Sequence, residues 1–233
     1  MITLVFALPQ ESRGVVAALR SPSRSGSPAL PVVRGRLGDR EILVLHTGVG
    51  AEAVRRTLAH YWKMRETYGG RWETLIAAGY AGGLDPALPA GALVLAGDAP
   101  LERAREILGT RAHVGGLATA SEPVETPEAK AAFFRATDAL AVDMETEAVA
   151  AFCRANGIPW LTLRAISDPA GVALPVPHDV WFDAVKQRPR SGALLRFLAT
   201  RPARWLPFAR FVAHVFRARR ALTAALLDLA ARL

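Results

Sequence analysis

Short apolar runs alternate with amphipathic stretches along most of the chain. Residues 2–8, ITLVFAL, form the first run and stop at Pro9. An unbroken run of this length suits a strand buried on both faces, as in a parallel sheet. A helical stretch follows near Ser12 to Leu19, and the Ser- and Pro-rich segment Ser21 to Pro31 reads as a loop. Val32 to Arg36 and Glu41 to His46 predict two strands around a Gly38-Asp39 turn. Gly48-Val49-Gly50 introduces a helix from Ala51 to about Arg65. Further strands are predicted at Thr74–Ala78, Ala92–Ala96, Val114–Ala120, Ala139–Val142 and Trp160–Ile166. Helices are predicted at Pro127–Arg135, with Pro in the first turn, and at Glu145–Asn156, closed by Gly157. This alternation argues for an α/β fold: one three-layer domain whose mixed, largely parallel sheet is flanked by helices. No internal repeat or low-complexity segment interrupts it.

Beyond residue 185 the pattern changes. Pro189, Pro202 and Pro207 cut the tail into helical pieces. The last piece, Phe208 to Leu233, carries apolar residues at 208, 212, 215, 222, 226, 229 and 233, a helical stripe with arginines elsewhere around the axis. Two readings stay open and are compatible. The helix packs on its own domain, or it lies on an anionic membrane surface, where each nearby basic residue contributes about 1 kcal/mol. The chain thus divides into a main domain, 1–185, and a basic amphipathic helical extension, 186–233.

Composition narrows the class. The chain has 233 residues, 51% hydrophobic and 21% charged, enough for one large globular domain. The net charge of +8 is uneven: residues 186–233 hold eleven Lys or Arg and one acid, so the tail carries +10 and the rest −2. The basicity therefore concerns the tail's partner. The single cysteine, Cys153, reads as a small buried apolar residue, and one thiol in a chain without a secretory leader points to the cytoplasm. No apolar run reaches the roughly 18 residues that span a bilayer. His60, His113, His178 and His214 lack metal spacing, and His46 reads as a hydrogen-bonded strand-end residue. No nucleic-acid reader motif accompanies the basic tail.

Ligands of open α/β sheets bind beyond the carboxyl ends of the strands. Pro9-Gln10-Glu11, Gly48-Val49-Gly50, Gly79 to Gly83 and Ser167-Asp168 all fall at such ends, and Asp143-Met144-Glu145 lies where a short strand meets a helix. Carboxylates after apolar strands, beside glycine turns that admit close backbone approach, make a pocket for a polar ligand. Taken singly, each acid also fits a helix start or a turn. Gly48-Val49-Gly50 lacks the third glycine of a dinucleotide fingerprint.

Together, Ala7-Leu8-Pro9-Gln10-Glu11, Thr47-Gly48-Val49-Gly50, Gly79-Tyr80-Ala81-Gly82-Gly83-Leu84, Val142-Asp143-Met144-Glu145 and Arg164-Ala165-Ile166-Ser167-Asp168 resemble the purine nucleoside phosphorylase superfamily. The likeness is greatest to its methylthioadenosine/S-adenosylhomocysteine nucleosidase branch and covers about residues 2–172. It implies cleavage of the N-glycosidic bond of a purine nucleoside, with no metal or organic cofactor. Phosphate is a co-substrate only if the reaction is phosphorolysis. Residue by residue, it implies Asp168 as the acid that protonates N7 of the base and Glu11 as the carboxylate that orients or deprotonates the attacking water. It implies Glu145 on the ribose hydroxyls, Met144 against the sugar, Ala81 and Gly82 as backbone contacts to the base, Gly50 in the substrate-binding turn, and Ser167 orienting Asp168. It also implies a homodimer.

Two departures mark this chain. Tyr80 stands where these nucleosidases carry a small hydroxyl residue, and the 119–124 loop, TASEPV, lacks their adenine-stacking Phe. Arg13 is the nearest counterpart of a phosphate-binding arginine but reads as a surface residue, so hydrolysis is preferred over phosphorolysis. The basic tail, the VDMET motif and the ETPEAKAAFF segment are similar to the hopanoid-associated branch, which acts on adenosylhopane, a lipid-linked nucleoside. That likeness implies peripheral contact with the inner membrane face. Two alternatives are salvage of methylthioadenosine or S-adenosylhomocysteine, and a catalytically inactive nucleoside- or membrane-binding homologue.

Overall fold

A computed structural model describes all residues except 29, 68, 69 and 184–186. The strands of the main sheet are β1 (Ile2–Phe6), β2 (Arg20–Gly26), β3 (Pro31–Leu37), β4 (Arg40–His46), β5 (Thr74–Gly83), β6 (Leu93–Gly97), β7 (Ala112–Val114), β8 (Leu117–Thr119), β9 (Ala141–Asp143) and β10 (Trp160–Asp168), and a separate short pair joins Phe182–Asp183 to Arg188–Pro189. The main sheet is mixed, in the order β2-β3-β4-β1-β5-β10-β6-β7, with β9 joining β5 and β8 joining β9. The centre, β4-β1-β5-β10, is parallel, and β6 runs antiparallel to β10. The helices are α1 (Pro9–Ala18), α2 (Ala51–Lys63), α3 (Leu101–Leu108), α4 (Pro127–Thr137), α5 (Thr146–Asn156), α6 (His178–Trp181), α7 (Ser191–Ala199) and α8 (Trp205–Arg232).

The period-2 alternation of strand side chains divides the core between the two sheet faces. Leu4 and Phe6 of β1, Ile76 and Ala78 of β5, and Leu161 and Leu163 of β10 face α1, α3 and α8. Val5, Leu75, Ala77 and Trp160 face α2 and α5, among Val54, Leu58, Val149 and Cys153. The result is the expected three-layer α/β architecture with a C-terminal helix.

Several local expectations need correction. Residues 20–26 pair with β3 as an exposed edge strand; the Ser and Pro content hid a strand that buries no side chain. The predicted strand 114–120 is two short strands broken at Gly115-Gly116. The helix Leu101–Leu108 was not predicted. Pro207 starts no new element; it sits in the first turn of α8, where a missing N–H costs nothing. The junction at 185/186 falls on residues outside those described. Beyond it, α8 enters the same core as β1, β5 and β10 through Ala218, Leu222, Ala225, Leu226, Leu229 and Ala230. Its alanines allow a close approach to the sheet.

Candidate active site

The carboxyl ends of β1, β5, β9 and β10 open into a cavity of about 500 Å³, a size typical of small-molecule sites. Glu11, Ala81, Gly82, Met144, Glu145, Ser167 and Asp168 all line it. Gly50 enters through its backbone: its N–H donates to Glu145 Oε1 at 2.8 Å.

Each acid is positioned by the element that carries it. Glu11 lies in the first turn of α1, where Oε2 accepts from the Leu8 N–H at 2.9 Å and Oε1 from the Tyr80 N–H at 3.1 Å. That carboxylate therefore ties the end of β1 to the end of β5. Burial raises its pKa, opposed by the Leu8 N–H and the charge on Arg164. Glu145 precedes α5. Burial pushes its pKa up to about 7, against the attraction of Arg164 and with the repulsion of Asp143.

Asp168 ends β10 after an irregularity in the pairing with β5, where Ile166 is opposite Ala81 and Asp168 opposite Gly82. Such a bulge re-aims side chains at the end of a strand. Both Ser167 and Asp168 thus reach the cavity. Ser167 Oγ donates to Asp168 Oδ1 at 2.6 Å, and Lys130 Nζ donates to Oδ2 at 2.6 Å. Burial raises the Asp168 pKa, and Lys130 is the main opposing influence. Without the lysine the carboxyl would hold its proton more tightly still.

Two cations of this site escaped the sequence reading. Lys130, on α4, has no exposure and reaches the main-chain oxygens of Asp168, Pro169 and Val172 as well as the carboxylate. A signal existed: a lysine close after the N-cap of α4, where the helix dipole disfavours a cation. Arg164, 2% exposed, faces the α5 side of β10 and pairs with Asp143 at 2.6 Å and Glu145 at 3.6 Å. Burial works against its charge, but Asp143, Glu145 and Glu11 outweigh that and raise its pKa. Its signal was an arginine inside an otherwise apolar strand. Gly79 makes room for this pair of groups: a Cβ there would lie 2.4 Å from Arg164 Nη1 and 2.8 Å from Glu11 Oε1. Asp143 caps α5, its Oδ1 accepting from the Thr146 N–H at 3.2 Å and Thr119 Oγ1 at 3.2 Å.

The remaining residues fall as follows. Ala120, Glu122, Pro123 and Val124 of the 119–124 loop line the cavity without an aromatic ring, and Tyr80 is a wall residue beside Glu11. Arg13 is exposed. His46 is 1% exposed and its Nε2 lies 2.8 Å from Ser12 Oγ, so it is a buried, hydrogen-bonded strand-end residue. Much of the remaining lining is apolar, including Val176, Trp181, Leu194, Phe208, Phe211 and Val215. Among the described residues no group of His, Cys, Asp or Glu is arranged to hold a metal.

The comparisons with known proteins agree with this architecture. The chain is similar to a 5′-methylthioadenosine/S-adenosylhomocysteine nucleosidase of Streptococcus pneumoniae bound to a transition-state inhibitor, with 18% identity, a TM-score of 0.71, and coverage of 99% of this chain and 98% of that one. It is similar to the nucleosidase of Neisseria meningitidis at 17% identity and a TM-score of 0.72, covering 100% and 99%. It is likewise similar to the futalosine hydrolase of Helicobacter pylori, with 18% identity, a TM-score of 0.72, and coverage of 100% and 97%. These likenesses show the shared fold. No curated protein sequence matches the chain. The sequence profile of the phosphorylase superfamily matches residues 2–106 and 99–199, and the chain therefore belongs to that superfamily of enzymes.

Proposed function

We propose that this enzyme cleaves the N-glycosidic bond of an adenine nucleoside bearing an apolar 5′ substituent, with adenosylhopane the substrate expected from the resemblance. The observation that carries the proposal is a single cavity lined both by Glu11, Glu145 and Asp168 and by an extensive aromatic and aliphatic wall. A long apolar 5′ group would cover more of that wall than a methylthio group does. In this reading the bond from C1′ to the base nitrogen breaks and its electron pair leaves with adenine. Asp168 delivers a proton to N7, Ser167 and Lys130 hold its carboxyl in place, and Ala81 and Gly82 contact the base. Glu11 orients the water whose oxygen bonds to C1′ and takes its proton. Glu145, with Gly50 beside it, holds the ribose hydroxyls, and Met144 packs on the sugar. The carboxylates stabilise the oxocarbenium-like charge that develops on the ribose.

Hydrolysis is favoured over phosphorolysis by the charge of the walls. Five carboxyl side chains line the cavity, and the buried cations Lys130 and Arg164 are already paired with Asp168 and with Asp143 and Glu145, so neither is free to take a phosphate dianion. The homodimer belongs to the same proposal and is checked by light scattering. The test is release of adenine from adenosylhopane and from methylthioadenosine, each with and without phosphate. The expected outcome is phosphate-independent release, faster from the lipid-linked nucleoside. Preference for methylthioadenosine would make this a salvage enzyme, and absence of release from either would overturn the reading.

A further inference from the structure

From Gln187 to Arg217, across α7, the turn at Pro202–Arg204 and the first half of α8, no residue is buried. The segment is nevertheless rich in large apolar side chains. Among the described residues, the four most exposed large hydrophobic side chains of the molecule lie here: Leu195 at 68%, Leu206 at 60%, Trp205 at 59% and Phe216 at 55%. Folding does not explain their placement, because exposed apolar area contributes nothing until something covers it. The segment is not a frayed end. Trp205 Nε1 donates to the Leu198 carbonyl at 2.8 Å, clasping α8 to α7 while the ring stays outside. Phe208, Phe211, Val212 and Val215 of the same helix belong to the apolar wall of the cavity, and Phe216 belongs to both surfaces.

Charge identifies the cover. Residues 188–227 contain nine arginines and no acid. Eight of the nine are exposed; the ninth, Arg219, is half-buried at the cavity. A second copy of this chain docked here through the same face would bring the same positive field and be repelled, so the proposed homodimer uses another face. A nucleic acid would satisfy the arginines but not the aliphatic tips. A surface that offers negative charge and apolar depth together is an anionic lipid bilayer, against which interfacial Trp and Arg are stable. No helix among the described residues is long and apolar enough to cross a membrane, so the contact is peripheral.

We propose that the face formed by α7 and the first half of α8 docks on anionic membranes, with the rim at Phe216 turned toward the lipid. A substrate with an apolar 5′ group then enters the cavity from the bilayer without crossing water. This rests on the substrate reading above, but its own evidence is Leu195, Trp205, Leu206 and the exposed arginines, none of which lines the cavity.

The test is flotation of the full chain with vesicles, without substrate. Phosphatidylcholine vesicles are compared with vesicles containing about one third phosphatidylglycerol, at low and high salt. Binding is expected only to the anionic vesicles and is expected to weaken with salt. Each arginine near such a surface is worth about five-fold in partitioning, so Arg204→Gln with Arg210→Gln is expected to lower binding roughly 30-fold. Trp205→Ala with Leu206→Ala is expected to lower it about ten-fold or more. Neither pair lines the cavity or the core, so turnover of methylthioadenosine should stay at the wild-type level. The arginine pair should also keep its thermal midpoint, and the Trp205 pair, which loses the bond to Leu198, is confirmed as folded by its own melting transition. Equal binding to both vesicle types, or wild-type binding by both variants, overturns the proposal. So does self-association abolished by the Trp205/Leu206 variant, or RNA that binds at physiological salt and displaces the vesicles. Flotation without adenine release would sink the substrate reading and keep this one; release without flotation would do the reverse.

Discussion

Asp168 is caught between burial, which favours its neutral form, and Lys130 at 2.6 Å, which favours the anion. In the proposed reaction, an acid that starts from this balance gives up its proton without being permanently ionised. Lys130→Met is therefore expected to raise the Asp168 pKa further and to move the alkaline limb of kcat/KM to higher pH. Asp168→Asn is expected to remove that limb and lower the rate by about 10²–10⁴. An alkaline limb unmoved by the lysine change would mean that another group sets it. Breaking this buried pair also costs stability, about 3–5 kcal/mol. Glu145 gives a second prediction of defined sign. In the folded chain it keeps its proton to about pH 7, while the unfolded chain releases it near 4.5. The folded state thus binds more protons between those values, and stability falls as pH rises through the window, then levels off above it. Glu145→Gln has no proton to lose. Relative to wild type its stability is expected to improve across the window by up to about 3 kcal/mol, at about 1.4 kcal/mol per unit, read from thermal denaturation at pH 4.5 and 8.

Helices α1 and α8 cross at Gly14, where a Cβ would lie 2.2 Å from Thr223 Oγ1 and 3.0 Å from its Cβ. In an isolated helix Gly to Ala is worth about 1 kcal/mol of stabilisation. Here the overlap with a short, branched side chain reverses the sign. Gly14→Ala is expected to destabilise by about 1–3 kcal/mol, and combination with Thr223→Ala to recover most of that loss. A double-mutant cycle measures the coupling; additive effects would mean that the helices do not meet as described. The crossing matters for the site because α1 also carries Glu11, so a displaced α1 moves a carboxyl group of the cavity.

At the scale of the whole molecule, α8 has two roles along one axis. Its second half places Leu222, Leu226 and Leu229 in the core with no exposure, and its first half walls the cavity and faces solvent. Three buried leucines are worth about 5–9 kcal/mol, comparable to the whole stability of a domain. A chain ending at Arg204 is therefore expected to lose its cooperative unfolding transition, measured by circular dichroism on heating. Point changes on the outer face are expected to leave it intact. Full-strength folding of the truncated chain would show that α8 is dispensable.

The alternation of apolar runs and amphipathic stretches determined the layers, because a parallel strand needs cover on both faces and side-chain period alone distinguishes strand from helix. The spacing of the acids along the chain determined that they stand at strand ends, and so at one edge of the sheet. Where burial supplied no pattern the sequence was silent: the exposed edge strand 20–26 has no apolar periodicity to read. Only the tertiary structure decided that Lys130 and Arg164 meet the acids, since a buried cation is recognised by its partner, and those partners lie 38 and about 20 residues away. Likewise the stripe on the last helix specified a covered face without saying what covers it. Packing assigned its second half to the sheet and its first half to the cavity, because its side chains in the core with β10 and its neighbours begin at Ala218.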